Sequence, residues 1–343
     1  MKLGLQLGYW GAQPPANHAE LVAAAEAAGF DVVFTAEAWG SDAYTPLAWW
    51  GSSTSRVRLG TSVVQLSART PTACAMAALT LDHLSGGRHI LGLGVSGPQV
   101  VEGWYGQSFP KPLARTREYI DIIRQVWARE KPVTSAGPHY PLPLTGEKTT
   151  GLGKPLKPIT HPLRADIPIF LGAEGPKNVA LAAEICDGWL PIFYTPRMAD
   201  TYNEWLDEGF SRPGARRSRE DFEICATANI VITEDRPAAF AAMKPYIALY
   251  MGGMGAEDTN FHADVYRRMG YSEVVDEVTA LFRSDKKDKA AEIIPDEVID
   301  DAAIVGDLDY VRKQIKVWEG AGVTTMVVSG RNTEQLQELA SLI

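Results

Sequence analysis

The chain has 343 residues, 45% of them hydrophobic, 22% charged, with 31 Gly and 22 Pro. That length buries a large core unaided and fits two ordinary domains or one α/β barrel with insertions. Net charge −9 disfavours nucleic acid and anionic membrane surfaces as partners, and three scattered cysteines, Cys74, Cys186 and Cys225, offer neither a disulfide framework nor zinc-ligand spacing.

The N-terminus reads as strand rather than leader: residues 1–8 alternate, and Tyr9-Trp10-Gly11 follows at once. No run approaches the ~20 apolar residues of a membrane span. The expectation is a soluble cytoplasmic protein. A helix over 18–28 ends on Gly29, a strand covers 31–36, a helix 43–53, a strand 58–64 and an Ala-rich helix 72–84, stopped by Gly86-Gly87. Residues 89–93 return to strand. A Gly- and aromatic-rich stretch, 94–112, precedes a helix over 113–129, and 131–166 is rich in Pro and Gly with little periodicity. Strand 167–171, helix 176–186, strand 188–193 and helix 198–209 follow. One long strand is then predicted over 222–232 and a helix over 236–250. After an irregular stretch, 252–270, come helices near 272–283 and 307–320, a strand over 323–328 and a last helix over 333–342.

Eight strands, mostly followed by helices, predict a closed (β/α)₈ TIM barrel. An open doubly wound sheet is the alternative. On the barrel reading the chain is a single domain with insertions at about 94–112, 131–166 and 252–305.

Ligands in such barrels sit at the C-terminal ends of the strands. Those ends carry Tyr9-Trp10, Glu37-Ala38-Trp39, residues 62–65, 94–97, 172–177, 192–194 and Ser329-Gly330. They are aromatic and Gly-rich. They lack a His/carboxylate cluster for a metal, a strand-end lysine for a Schiff base and a GxSxG elbow, which suits a planar organic cofactor. Gly92-Leu93-Gly94-Val95-Ser96-Gly97 matches GxGxxG, but Pro98 follows and no acid ends a next strand about 20 residues on. Its glycines supply either positive φ or a close backbone approach to a ligand. The turn Gly172–Asn178 puts Pro176 at the first helical position, with helix N–H groups and Lys177 nearby. It reads as an anion site or as a well-capped βα turn. Lys148, Lys154, Lys157, His161 and Arg164 form a local basic segment, either solvated or guiding an acidic ligand tail. Arg212–Arg219 reads as a solvated turn, His83 as structural, and Trp49-Trp50 as core or subunit interface.

Four segments carry a resemblance: GFDVVFTAEAWGSDAYTPLAWW (29–50), RVRLGTSVVQLSARTPTACAMAALTLDHLSGGR (56–88), ILGLGVSGPQVVEGWYG (90–106) and IPIFLGAEGPKNVALAAEICDGWLPIF (167–193). In them the chain resembles the luciferase-like monooxygenase superfamily, and in particular its coenzyme F420-dependent oxidoreductase branch. The last segment is similar to the F420-dependent methylene-tetrahydromethanopterin reductases. The resemblance implies a barrel that is commonly a homodimer. It implies a non-prolyl cis peptide at Ser62–Val63, whose bulge backs the deazaflavin ring. Gly97, Pro98 and Gln99 would lie near the cofactor's side chain, and Glu174, Gly175, Pro176, Lys177 and Asn178 would hold its phosphate. Glu37 matches an acidic position near the ring. F420-dependent sugar-phosphate dehydrogenases place a His after that acid, whereas Ala38 stands here, and the nearest acid in the strand-4 loop is Glu102. Sugar-phosphate oxidation is therefore not carried over.

The expected activity is hydride transfer between F420 and a small organic substrate in a pocket walled by Tyr9, Trp10, Trp39 and Phe193. Glu37 or Tyr9 would move the proton, with no metal. The alternatives are an FMN-dependent monooxygenase of the same superfamily, a non-redox barrel lyase or isomerase, and a ligand-binding barrel. Lys148, Lys154, Lys157, Arg164 and Lys177 are the positive charges expected to meet the cofactor's phosphate and acidic tail.

Overall fold

The computed structural model describes residues 1–147, 149–255 and 260–343. Eight parallel strand positions form a (β/α)₈ barrel. They are β1 (Lys2–Gly8), β2 (Val32–Thr35), β3 (Arg58–Thr61) continued by β4 (Val64–Gln65), β5 (His89–Gly94), β6 (Ile169–Gly172), β7 (Gly188–Leu190), β8 (Glu223–Thr227) and, last in the chain, β11 (Thr325–Val328). The sheet order is β3-β2-β1-β11-β8-β7-β6-β5-β4, and β3 also pairs with β5, which closes the ring. The strands are buried on both faces, as parallel barrel strands must be: β2, β5 and β11 are buried at every position.

The helices between them start and stop where the sequence says. Thr70 accepts the Ala73 N–H at 3.3 Å, Pro71 opens the helix Pro71–Ser85, and Gly86 ends it at φ 69°. Asp307 caps Leu308–Gly320 by accepting from the Tyr310 N–H at 2.7 Å. No helix among the described residues is long and apolar enough to cross a membrane.

Packing divides the chain into two compact units. One comprises residues 7–172 and 185–187. The other comprises 1–6, 173–184 and 188–343.

In the first unit the strand expected over 58–64 is interrupted. Ser62–Val63 is a cis peptide, and the strand resumes at Val64. The stretch 94–112 contains a short helix, Pro98–Gly103, begun immediately after Gly97. Neither Gly94 nor Gly97 supplies positive φ; that conformation belongs to Ser96, at φ 59°. Gly94 is required by space instead: a Cβ there would stand 2.5 Å from Val63 Cγ2. The segment 131–166 is irregular but tied down. Ser135 and Leu142 exchange backbone bonds at 2.9 Å, the Val133 N–H donates to Leu156 O at 2.9 Å, and Arg129 Nε donates to Pro158 O at 2.8 Å.

In the second unit the strand expected over 222–232 is two strands. The Ala228 N–H still donates to Val327 O in the barrel at 2.8 Å. Beyond it β9 (Asn229–Ile232) pairs in parallel with β10 (Ala303–Gly306) in a separate two-stranded sheet. The stretch expected to be irregular, 252–270, includes the helix Phe261–Arg268, capped by Asn260. Helices Lys287–Glu292 and Asp296–Ala302 also lie in the insertion. These elements bury a core of their own around Phe240, Met251, Tyr266, Val275, Val278 and Ile299.

Candidate functional site

The end of β2 delivers Glu37, 7% exposed, into a set of donors. Its Oε1 accepts from the Gln65 N–H at 2.9 Å and from Arg69 Nη1 at 3.1 Å. Its Oε2 accepts from Arg69 Nη1 at 2.9 Å and from the Ala43 N–H at 3.3 Å. The Glu37 N–H donates to Val63 O at 3.3 Å, and Gln65 Nε2 donates to Glu37 O and Ala38 O. One carboxylate thus ties together Gln65, two residues beyond Val63, with Ala43 and Arg69. Both oxygens are engaged by donors, which fixes the carboxylate in place.

Val63 is turned toward the ends of β5 and β6. Besides Gly94, a Cβ on Gly172 would come 3.2 Å from its Cγ1. Two glycines therefore form the cradle for this side chain. Gln65 Oε1 and Ser67 Oγ are buried beside it in sequence with no hydrogen-bond partner among the described residues.

Three aromatic residues expected at this end are in the same unit. Tyr9 is 45% and Trp39 53% exposed. Trp10 is half-buried; its N–H donates to Ser41 Oγ at 3.0 Å, and its ring lies 6.3 Å from Trp50. Tyr105 donates to Ala38 O at 3.4 Å. Gly97, Pro98 and Gln99 form the start of the short helix, where Gly97 is extended at φ −119°.

The basic segment goes elsewhere. Arg164 binds Asp82 in three hydrogen bonds of 2.7–3.1 Å and donates to His89 O at 2.5 Å. His89 begins β5, so Arg164 sits at the end opposite to the ligand-bearing one. Its charge is spent on a carboxylate that is 2% exposed at the side chain. His83 Nε2 meets His161 O at 2.8 Å at the same end, and Lys157 donates to Glu130 O at 3.2 Å. Lys154 is exposed, and Lys148 lies outside the described residues. The expectation that Arg164 serves the cofactor is corrected: a buried acid outcompetes a distant ligand for it.

The 174–178 turn, which follows β6 in the chain, belongs to the second unit. Gly175 O accepts from the Asn178 and Val179 N–H groups at 3.0 and 2.9 Å, which starts the helix Pro176–Ile185. Lys177 is exposed. Asn178 Oδ1 is buried with no partner among the described residues. An amide turned the other way would present its NH₂ there instead. Trp189 Nε1 donates to Ala173 O at 2.8 Å, and Arg268 Nη2 donates to Glu174 O at 2.8 Å. Glu174 Oε1 accepts the Ile192 N–H at 3.3 Å, and Glu174 lines a small cavity with Trp189, Tyr202, Trp205, Arg268 and Met269. Desolvation pushes its carboxyl up to about 8, against the opposing pull of the Ile192 N–H and Arg268.

Phe193, expected to wall a substrate pocket, is 5% exposed and lines the same small cavity as Glu174. Its ring packs against Tyr250, Tyr266, His262 and Tyr246 at 5.0–6.4 Å. Arg268 was missed by the sequence reading because it lies in the stretch read as irregular.

The family description "Luciferase-like monooxygenase" matches residues 3–325. A Mycobacterium tuberculosis protein, provisionally named a coenzyme F420-dependent oxidoreductase, is 85% identical over 343 residues, 100% of this chain and 99% of that one. The 5,10-methylenetetrahydromethanopterin reductase of Archaeoglobus fulgidus is 30% identical over 336 residues, covering 95% of this chain and 92% of the relative. Among solved structures, the coenzyme F420-dependent tetrahydromethanopterin reductase of Methanopyrus kandleri superposes with TM-score 0.79 at 25% identity, covering 98% of this chain and 96% of that one.

Proposed function

Because this chain belongs to the luciferase-like monooxygenase family, we propose that it is an F420-dependent oxidoreductase acting on a small organic substrate. The observation that carries the reading is the seating of Val63 between Gly94 and Gly172 at the strand ends, where the resemblance implies the surface that backs the ring. The names of its relatives support the choice of F420. The residues present fit that cofactor. The Val63 surface is apolar and carries no charge. The 174–178 turn offers Lys177, the neighbouring Arg268 and the Asn178 amide, a donor set suited to a phosphate.

F420, when bound, supplies the two-electron hydride chemistry; the chain supplies orientation and exclusion of water. Ser62 and Val63 would back the ring. Gly97, Pro98 and Gln99 would approach its side chain, and Glu174–Asn178 would hold the phosphate through backbone and Lys177. Glu37 acts as a positioning residue: its N–H holds Val63 O, its carboxylate holds the Gln65 N–H, and each carboxylate oxygen already accepts two hydrogen bonds. Proton transfer at the substrate falls to Tyr9, whose ring is exposed. Tyr9, Trp10 and Trp39 give the substrate apolar, aromatic walls, which favours a hydrophobic or planar compound. The enzyme works as a homodimer in the cytoplasm.

Titration of the apoprotein with F420 and with FMN, followed by absorbance and fluorescence, tests the assignment. Saturable F420 binding, with hydride exchange into a bound substrate, is the expected result. Turnover of reduced FMN with oxygen, with no F420 affinity, would overturn it.

A further inference from the structure

The sequence predicted that an acidic protein must gather its unpaired cations near the cofactor's phosphate, and it pointed to Lys148, Lys154, Lys157, Arg164 and Lys177. The structure spends Arg164 on Asp82. It places a different guanidinium at the turn. Arg268 is the last residue of the helix Phe261–Arg268, is half-buried, and holds Glu174 O at 2.8 Å. Its guanidinium lies 6.0 Å from the centroid of the Trp205 ring. Among the described residues it is paired with no carboxylate as an ion pair. The side chain that would cancel it is that of Glu174 itself, in the same cavity.

We propose that Arg268 supplies the fixed positive charge of the phosphate turn, and that Glu174 is a proton-controlled neutraliser of that charge. This rests on the reading that the 174–178 turn holds the cofactor's phosphate. A guanidinium has five N–H donors, and the carbonyl of Glu174 takes one, so the rest remain for an anion. While the Glu174 carboxyl keeps its proton, the local charge is positive, from Arg268 and Lys177. When the proton leaves, a carboxylate stands beside Arg268 and behind the turn, and the anion is repelled. Titration of Glu174 at about 8, from burial, places that switch just above neutrality. The charged and titratable groups around Glu174 are Arg268 and Tyr266 from one helix and Tyr202 from the helix Ala199–Phe210. Burial moves both phenols upward, so they stay neutral through this window. Arg268 also joins the helical insertion to the turn, so the insertion would act on cofactor affinity directly.

The test is fluorescence titration of the full-length protein from about pH 6.5 to 9.5 with F420, and with a deazaflavin chromophore lacking the phosphate tail. At pH 7 Arg268→Gln is expected to weaken F420 about tenfold or more. The phosphate-free chromophore should bind as before, which also reports an intact fold. Arg268→Lys should fall between. Wild-type affinity for F420 should drop as pH passes about 8, and Glu174→Gln should abolish that drop. Equal binding of both ligands in Arg268→Gln and in wild type, or an unchanged pH dependence in Glu174→Gln, overturns the proposal. If wild-type protein itself does not prefer the phosphorylated ligand, and inorganic phosphate does not compete, the phosphate reading of the turn fails first, and the proposal with it. If that preference exists but survives Arg268→Gln, the proposal alone fails.

Discussion

Glu37 spans two chemistries that its position in the sequence leaves open, proton carrier or anchor. The geometry separates them. A general base needs an oxygen able to reach a substrate proton, whereas each oxygen of Glu37 already accepts two hydrogen bonds. Glu37→Gln should therefore act through structure. It removes the charge opposite Arg69 and puts an NH₂ among donors, at a cost of about 2–3 kcal/mol in unfolding free energy. Cofactor affinity should fall with it, while the pH profile of kcat keeps its shape. Denaturant unfolding and a pH–rate series read both quantities; a lost ionisation in the profile with stability intact would return Glu37 to proton transfer. The acid itself was legible in the sequence because it ends a strand. Its partner was not, since nothing in the spacing of Glu37 and Arg69 shows that the chain folds them together. Arg268 was hidden for the same reason at greater range. The surroundings of the Glu174 side chain were not legible either, because the cavity it lines with Trp189 and Tyr202 is assembled from residues distant in the chain.

Elements with a strong period and clear punctuation were legible: Thr70-Pro71 and Gly86 frame their helix in sequence as they do in space. Where punctuation is missing, legibility fails. Residues 222–232 contain neither Gly nor Pro, so nothing announces that β8 stays in the barrel and β9 leaves it. β10 follows directly on the helix Asp296–Ala302 with no turn residue between them. Short helices such as Lys287–Glu292 carry too few apolar positions to show a period. The segment 131–166 gave no periodic signal because its order comes from anchors, of which Arg164 is the strongest. Arg164→Ala should leave the buried Asp82 carboxylate unpaired and destabilise the protein by about 2–3 kcal/mol, discounted for the partial exposure of the guanidinium. The affinity of the folded fraction for cofactor should be unchanged. Thermal unfolding with and without F420 checks both parts; a selective loss of affinity would restore Arg164 to the cofactor.

For the whole molecule, the −9 balance coexists with a donor set for an anionic ligand because most arginines are consumed internally, in pairs such as Arg69–Glu37, Arg164–Asp82 and Arg197–Asp301. Two buried imidazoles weaken the fold in acid. Burial holds His89 and His262 down at about 4. In the unfolded chain each ionises near 6.5, so between those values the unfolded state binds more protons than the folded one. Their contribution to stability is complete above pH 6.5 and is lost as pH falls toward 4. Unfolding measured across that window should show a declining denaturation midpoint, and His89→Gln should flatten the decline. A slope that survives in both His89→Gln and His262→Gln would assign it to other groups.

The parallel pairing of β9 with β10 has a consequence for how such a chain diversifies. β8 and β11 are direct neighbours in the barrel, yet the polypeptide travels through residues 229–306 before the helix Leu308–Gly320 leads back to β11. The two strands close that excursion upon itself, with its own buried core. An excursion fastened at its base can be lengthened, trimmed or exchanged without shifting the register of the strands that flank it. The same barrel can thereby carry different helical attachments through descent, each bringing a new side chain, as this one brings Arg268, to a turn that the barrel itself leaves unaltered.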